Sequence, residues 1–304
     1  MDRWQAMRIF VRTADSESFA GAARQLGLSP PAVTRAVAAL EETIGTRLLT
    51  RTTRSVKLTE AGRRYLEDCR RILSEIEEAE AAAAGADARP TGTLTVTASV
   101  QFGRLYVLPI MTEYLSRHPA IILRALFLDR VINMIEEGAD VGIRIGHLAD
   151  SGIVARRVGS VRRVVCAAPD YLSRHGTPTV PRDLREHQVI GSTGLDPSPE
   201  WRFGQDRKAS VTVRPRLVCN TVDAALAAAI DGHGIARLLS YQVAPAVAEG
   251  KLVLLLEDHE EPPVPIHVVH PEGTRTSAKV RSFVDLAGHR LRGNRLLKAG
   301  FASG

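Results

Sequence analysis

Thr34 and Arg35 stand side by side in the run "SPPAVTRAVAALE", residues 29 to 41. A guanidinium can pair with guanine, and a threonine can hydrogen-bond a base edge or touch a thymine methyl. Such chemistry needs close approach, and the surroundings are small. At helical spacing Pro31, Thr34, Arg35 and Ala38 share one face, while Val33, Val37 and Leu40 line the opposite one. Ser29 suits an N-cap, and Pro30 and Pro31 suit a first turn, whose N–H groups have no intrahelical partner in any case. Just upstream, Phe19, Ala22, Ala23 and Leu26 form a buried stripe that Gly27 closes. Two short helices joined by a glycine-containing turn make a helix-turn-helix, whose second helix can lie in a major groove. A structural hairpin of helices with an incidental arginine would give the same pattern.

The flanks favour the nucleic-acid reading. Met7, Phe10, Val11 and Ala14 form a further stripe that completes a three-helix core. Downstream, "GTRLLTRTTRSVKLTEAG" carries Arg47, Arg51, Thr52, Arg54 and Lys57 on short Thr-rich segments. These suit a two-stranded wing along the DNA backbone or minor groove, with a solvated hairpin as the alternative. The net charge of +6 is placed rather than spread. Through Leu58 there are nine Lys/Arg against five Asp/Glu, whereas residues 59 to 88 hold four against eight. In that acidic stretch Leu58, Gly62, Tyr65, Cys69, Ile72, Ile76, Ala79 and Ala83 recur at alternating steps of four and three, a heptad seam. Thr59 can cap its helix, and Gly85 and Pro90 end it. The seam is expected to pair two chains, the competing arrangement being a helix packed on its own domain.

Other chemistries find little support. The nine histidines show no HExxH or paired metal spacing, and there is no GxSxG. "DGHGIARLL" lacks the third glycine and the acidic residue of a dinucleotide site and reads as a turn into a strand. No catalytic residue, cofactor or metal is expected. The three cysteines, Cys69, Cys166 and Cys219, form neither a disulfide framework nor a CxxC pair. No apolar run is long enough to span a membrane, and the N-terminus lacks the apolar core of a signal peptide, so a cytoplasmic location is expected.

Past Pro90 the pattern alternates strands and helices, as α/β architecture does. "TLTVTAS", a helical "RLYVLPIMTEYLSRH", "IILRALFLD", a helix through Glu137 and "DVGIRIG" form one group. "RRVVCAAP", "SVTVRPRLVCN", "VDAALAAAIDGHG", "IARLL", "YQVAPAVAEG" and "KLVLLL" form a second. "PIHVVHP" and the helix "SAKVRSFVDLAGHRL" return to the first. A chain that crosses twice gives two lobes with a cleft.

The stretch Phe10 to Gly62 resembles the winged helix-turn-helix of LysR-type transcriptional regulators. Ser18-Phe19, Ala22-Ala23, Leu26, Ser29-Pro30, Val33, Leu40-Glu41, Gly45, Arg47-Leu48, Arg51 and Leu58 through Gly62 match in order. Leu49 departs from the usual Phe, a change expected to affect core packing. The region after Pro90 is similar to the effector domain of the same family. Leu108-Pro109, Asp129-Arg130, Glu136-Glu137-Gly138, Asp140 to Gly146, Ala155-Arg156-Arg157 and Gly232 through Ile235 are among the matches, and His118 stands where Tyr is common.

The resemblance implies an N-terminal winged helix-turn-helix over 1–58, a linker helix and hinge over 59–91, and a two-lobed α/β effector domain over 92–304. That domain has the type 2 periplasmic-binding-protein fold, with lobe 1 near 92–161 and 266–292 and lobe 2 near 162–265. It also implies a homodimer or homotetramer on an inverted-repeat operator in double-stranded DNA, governed by an anionic or polar small molecule and with no membrane partner. A binding protein without a transcriptional role, or an enzyme using the cleft, are the alternatives. The expected DNA contacts are Ser29, Pro30, Pro31, Thr34, Arg35, Ala38, Arg51, Thr52 and Arg54. Two helix N-termini after strands, "SVQFG" and "NTVDAAL", should face the cleft with free N–H groups. The expected effector contacts are therefore Ser99, Val100, Gln101, Phe102, Thr221 and Val222, with Arg144, Gly146, Thr193 and Phe203 in support. Capping is the competing role for Thr221. Arg130, Asp140 and Arg144 fit structural pairing better than catalysis. A redox role for Cys166 and Cys219, as in some relatives, lacks basic neighbours that would hold a thiolate.

Overall fold

The computed structural model describes residues 2–51, 56–83, 89–130, 132–148, 153–193, 198–271 and 277–298. The chain divides into two compact units, Met1–Arg89 and Pro90–Gly304.

The first unit contains α1 (Arg3–Asp15), α2 (Phe19–Leu26), α3 (Pro30–Ile44), β1 (Leu49–Arg51), β2 (Val56–Leu58) and α4 (Glu60–Ala83). Helix α2 starts where the Ser18 hydroxyl accepts the Gly21 N–H at 3.1 Å, and it ends at Gly27, whose φ of 65° suits a residue without a side chain. Ser29 occupies the cap position of α3 with an extended backbone, but its hydroxyl makes no capping bond. The prolines behind it set the helix start instead. Phe10, Ala22, Ala23, Val33, Val37, Leu40 and Leu48 close one core, in which Leu49 is also buried.

Strands β1 and β2 pair antiparallel, Leu49 opposite Leu58 and Arg51 opposite Val56. Thr59 starts α4 by accepting the Gly62 N–H at 2.9 Å. The first half of the heptad seam of this helix meets its own unit. Leu66, Cys69 and Leu73 are buried in the unit's own core, with Tyr65 and Ile72 packed against it and Tyr65 5.7 Å from Phe10. A Cβ on Gly62 would lie 1.9 Å from the Leu48 carbonyl oxygen, so the helix start touches backbone. The first half of the seam therefore packs on the core of its own unit, against α1.

The second unit holds two five-stranded mixed sheets. The first has order β4-β3-β5-β14-β6 and uses β3 (Gly92–Ala98), β4 (Ile121–Phe127), β5 (Val141–Ile145), β6 (Ile153–Val161) and β14 (Val264–Pro271). The second has order β11-β8-β12-β7-β13 and uses β7 (Arg163–Ala167), β8 (Val189–Ser192), β11 (Pro215–Cys219), β12 (Ile235–Leu239) and β13 (Val253–Leu255). The chain crosses after β6 and returns at β14. Between β3 and β4, α5 (Val100–Phe102) runs through a π-turn (Gly103–Val107) into α6 (Leu108–Arg117), so the helix begins earlier than "RLYVLPIM" suggests. A Cβ on Gly103 would press on the Phe127 ring at 2.6 Å, which explains a glycine inside the turn. Helices α7 (Pro169–His175), α8 (Val222–Ile230), α9 (Ser240–Ala248) and α10 (Ala278–Gly293) complete the unit.

Two expectations fail locally. Where a helix through Glu137 was expected, the chain makes only turns, since the Asn133 side chain takes the Ile135 N–H at 3.1 Å and Gly138 reverses the chain at φ 63°. "SVTVRPRLVCN" is not one strand. Its first part, β10 (Ala209–Thr212), pairs with β9 (Glu200–Phe203) in a separate hairpin, and Pro215, which has no N–H to give, opens β11.

Candidate functional site

Helix α3 buries Val33, Ala36, Val37 and Leu40 and exposes Ser29, Pro30, Pro31, Arg35 and Ala38, with Thr34 half-buried between. Its outer face is thus small near the N-terminus and cationic one turn on. The Arg35 guanidinium makes no hydrogen bond or ion pair with the described residues. Glu41 anchors the wing: its Oε1 accepts the N–H groups of Leu48 at 2.7 Å and Leu49 at 2.9 Å, tying the end of α3 to the start of β1. Arg51 ends β1, while Thr52 and Arg54 lie outside the described residues.

The second site lies where the two sheets of the second unit meet. Ser99 and Thr221 hold the N-cap positions of α5 and α8 with extended backbones, and neither hydroxyl makes a capping bond. The helix starts approach one another: Gln101 Nε2 donates to Asp223 Oδ1 at 3.0 Å, and Arg104 stands 4.0 Å from the same oxygen. Tyr241, at the start of α9, packs into the first lobe with its ring 5.3 Å from Phe102 and 5.6 Å from Tyr106. Its phenol bonds to the Ser99 side chain and accepts from Gln242 Nε2 at 3.2 Å, and burial pushes its pKa up, so it stays protonated. Gln101 is 6% exposed, yet its Oε1 has no partner, and the buried Ser192 hydroxyl at the end of β8 has none either. An acceptor in this condition asks for a donor from a guest.

The placement of the expected residues differs from one to the next. Ser99, Gln101 and Thr221 come together around that bridge. Phe102 and Val222 are buried, so backbone N–H groups are what they can offer. The Val100 N–H is already taken by Asp129 Oδ1 at 2.9 Å. Asp129 and Asp223 therefore set two carboxylates at the helix starts, which suits a hydrogen-bonding guest better than a bare anion. Thr193 ties the end of β8 to that of β11 through its N–H and the Cys219 carbonyl at 2.9 Å. Gly146 turns the chain after β5 at φ 141°. Phe203, expected in support, is instead 3% exposed in the core of the second lobe, its ring 6.0 Å from the Arg237 guanidinium, so its side chain fills that core. Arg144 faces away from the first lobe's main core, which Ile143 on the same strand enters. Asp129, Ser192, Asp223, Tyr241 and Gln242 were missed. Their one available signal was position, each standing where a strand passes into a turn or helix.

No group of three or more His, Cys, Asp or Glu side chains that could hold a metal occurs among the described residues. Burial pushes the Cys166 thiol up to about 12 and the Cys69 thiol up to about 11, which leaves both protonated near neutrality. No helix among the described residues is long and apolar enough to cross a membrane.

Residues 4–63 match the family described as bacterial regulatory helix-turn-helix protein, lysR family, and residues 87–292 match the LysR substrate binding domain. A transcriptional repressor of Pseudomonas aeruginosa is 35% identical over 289 residues, covering 94% of this chain and 91% of its own. The regulator PgrR of Escherichia coli is 34% identical over 283 residues, covering 91% and 94%. Among solved structures, the LysR-type regulator CrgA of Neisseria meningitidis aligns with a TM-score of 0.61 at 32% identity, over 95% of this chain and 99% of that one.

Proposed function

This chain belongs to the LysR family of helix-turn-helix transcriptional regulators, and from that premise we propose how it performs its work. It binds double-stranded DNA through α3 and the adjoining wing, and a small molecule held between the lobes of the second unit changes that binding. The observation that carries the reading is the outer face of α3, where a free guanidinium stands among small residues on a helix whose other face closes a core. Ser29, Pro30 and Pro31 admit the DNA backbone to the helix N-terminus, Thr34 and Arg35 meet base edges, and Ala38 leaves room beside them. Arg51, Thr52 and Arg54 act on phosphates or the minor groove. The chain works as a homo-oligomer on an inverted repeat in the cytoplasm, with the later part of α4 joining subunits.

The effector is a polar molecule with at least one donor for Gln101 Oε1. Ser99, Thr221 and the first-turn N–H groups of Phe102 and Val222 receive its acceptors, with Thr193 and Gly146 at the margin. Because Gln101 and Asp223 bridge the lobes directly, a guest that displaces their bond changes how the lobes are held. Ligand and operator must then alter each other's affinity by the same factor. Calorimetry with a metabolite panel, with and without operator DNA, tests this. A ligand bound equally well by the parent and by Ser99→Leu, Gln101→Ala and Thr221→Leu variants would place the effector elsewhere.

A further inference from the structure

Arg144 belongs to a row. In the first lobe's sheet Arg144 of β5 stands opposite His267 of β14, and His267 stands opposite Arg157 of β6. Directly opposed residues project from the same face, so guanidinium, imidazole and guanidinium cross three adjacent strands side by side. The pairing of β14 with β6 slips between Ile266 and His267, skipping Val158, which stays in the core with Ile266 and Val268. The slip leaves Arg157 on the same side as His267, where its charge acts on the imidazole. His147, just past β5, adds to that repulsion.

Among the described residues no carboxylate bonds to Arg144, His267 or Arg157. Arg144 Nη2 and His267 Nδ1 are buried without a partner, while the His267 ring bonds to the Gly146 backbone. Elsewhere the same lobes pair such groups: Arg156, on the opposite face of β6, meets Asp285 at 2.9 Å, and Arg162 meets Glu260 at 3.1 Å. Arg144 is a half-buried cation with an unpartnered Nη2, and the exposed Arg157 adds a second guanidinium charge beside His267, so the row gathers positive charge that no carboxylate among the described residues offsets.

We infer that the Arg144–His267–Arg157 row is a binding site for a small oxyanion, a carboxylate or a phosphate-type group. A single oxyanion would take the His267 Nδ1–H and one guanidinium edge; a short dicarboxylate would reach both arginines, whose strands lie two spacings, about 10 Å, apart. The site uses none of Ser99, Gln101 or Thr221 and meets the groove only at Gly146, whose backbone holds the His267 ring, so the Ser99, Gln101 and Thr221 variants that test the groove leave this row intact. Binding favours protonated His267, since the anion offsets the two guanidinium charges that oppose it.

The test tracks the His267 ring by NMR in the full chain, the signal being assigned by its loss in His267→Gln. The pH titration is run in sodium chloride, sodium sulfate and disodium succinate at matched ionic strength. Sulfate or succinate should raise the midpoint above its chloride value by about half a unit or more, about threefold in proton affinity. Whichever acts names the anion class. Arg144→Gln and Arg157→Gln should each shrink that anion-specific difference. Equal midpoints in all three salts would overturn the site, leaving screening alone. Asp150 lies outside the described residues and supplies the remaining check. If Asp150→Asn lowers the midpoint in chloride and sulfate and succinate do nothing to the parent, the chain provides its own counter-ion and the inference fails.

Discussion

Arg35 is exposed on α3 and bound to nothing among the described residues, which leaves its guanidinium to a base edge. Arg35→Ala should cost about 1 to 3 kcal/mol at the preferred sequence and little on unrelated DNA, read by binding to operator variants. Gly62→Ala should destabilise the first unit by about 1 to 3 kcal/mol, since the added methyl meets the Leu48 carbonyl rather than a movable side chain. Denaturant unfolding read through the fluorescence of Trp4 would report it. The cysteines give a third expectation: at neutral pH Cys69 and Cys166 should resist alkylation in the folded protein, because burial holds their thiols protonated. Peptide mapping that finds Cys166 labelled as fast as a free thiol would contradict it. Residue roles were legible in the sequence to different depths. The face of α3 could be written from spacing alone, since one helix fixes it. Phe203 could not, because whether an aromatic residue lines a groove or fills a core depends on where a hairpin folds, and Tyr241 reaches the opposite lobe across more than a hundred residues of chain.

At the scale of elements, α4 shows what a periodic pattern leaves open. The seam was visible, but a heptad does not say whose surface it faces; its first half packs on its own unit's core, with Tyr65 against Phe10. The two isoleucines, equivalent in the pattern, separate in the fold. Ile72→Asp should lower the unfolding midpoint of the first unit, whereas Ile76→Asp should leave it folded and reduce the assembled mass in sedimentation. Equal mass in the Ile76 variant and the parent would move subunit pairing to another surface. Glu41 links α3 to the wing, so Glu41→Ala, which frees two backbone donors, should weaken all DNA sequences alike without changing base preference. The division into two groups of strands was legible, and the late return at "PIHVVHP" is observed as β14 inside the first sheet; the strand order within each sheet was not legible, since alternation does not say which strands pair. The turns at Asn133 to Gly138 and the break at Pro215 were lost because one side chain or one missing N–H overrides the surrounding pattern.

For the whole molecule, ligand, proton and DNA should act on one another through populations. Burial is the first cause that lowers the pKa of both His187 and His267 below the ordinary imidazole value of 6.5. The unfolded chain therefore binds more protons than the folded one near that value. Stability contributed by these sites is present above 6.5 and falls as pH drops through it, a slope that His187→Gln and His267→Gln should flatten in denaturation series. Base reading by α3 can be seen in what the protein selects from random DNA. Randomised duplexes retained by the parent and by Arg35→Ala are sequenced in parallel at one salt concentration. The parent should enrich an inverted repeat with a fixed guanine in each half-site, and the variant should keep the repeat but lose preference at that base. No enrichment by the parent, or the same base preference in both proteins, would contradict it.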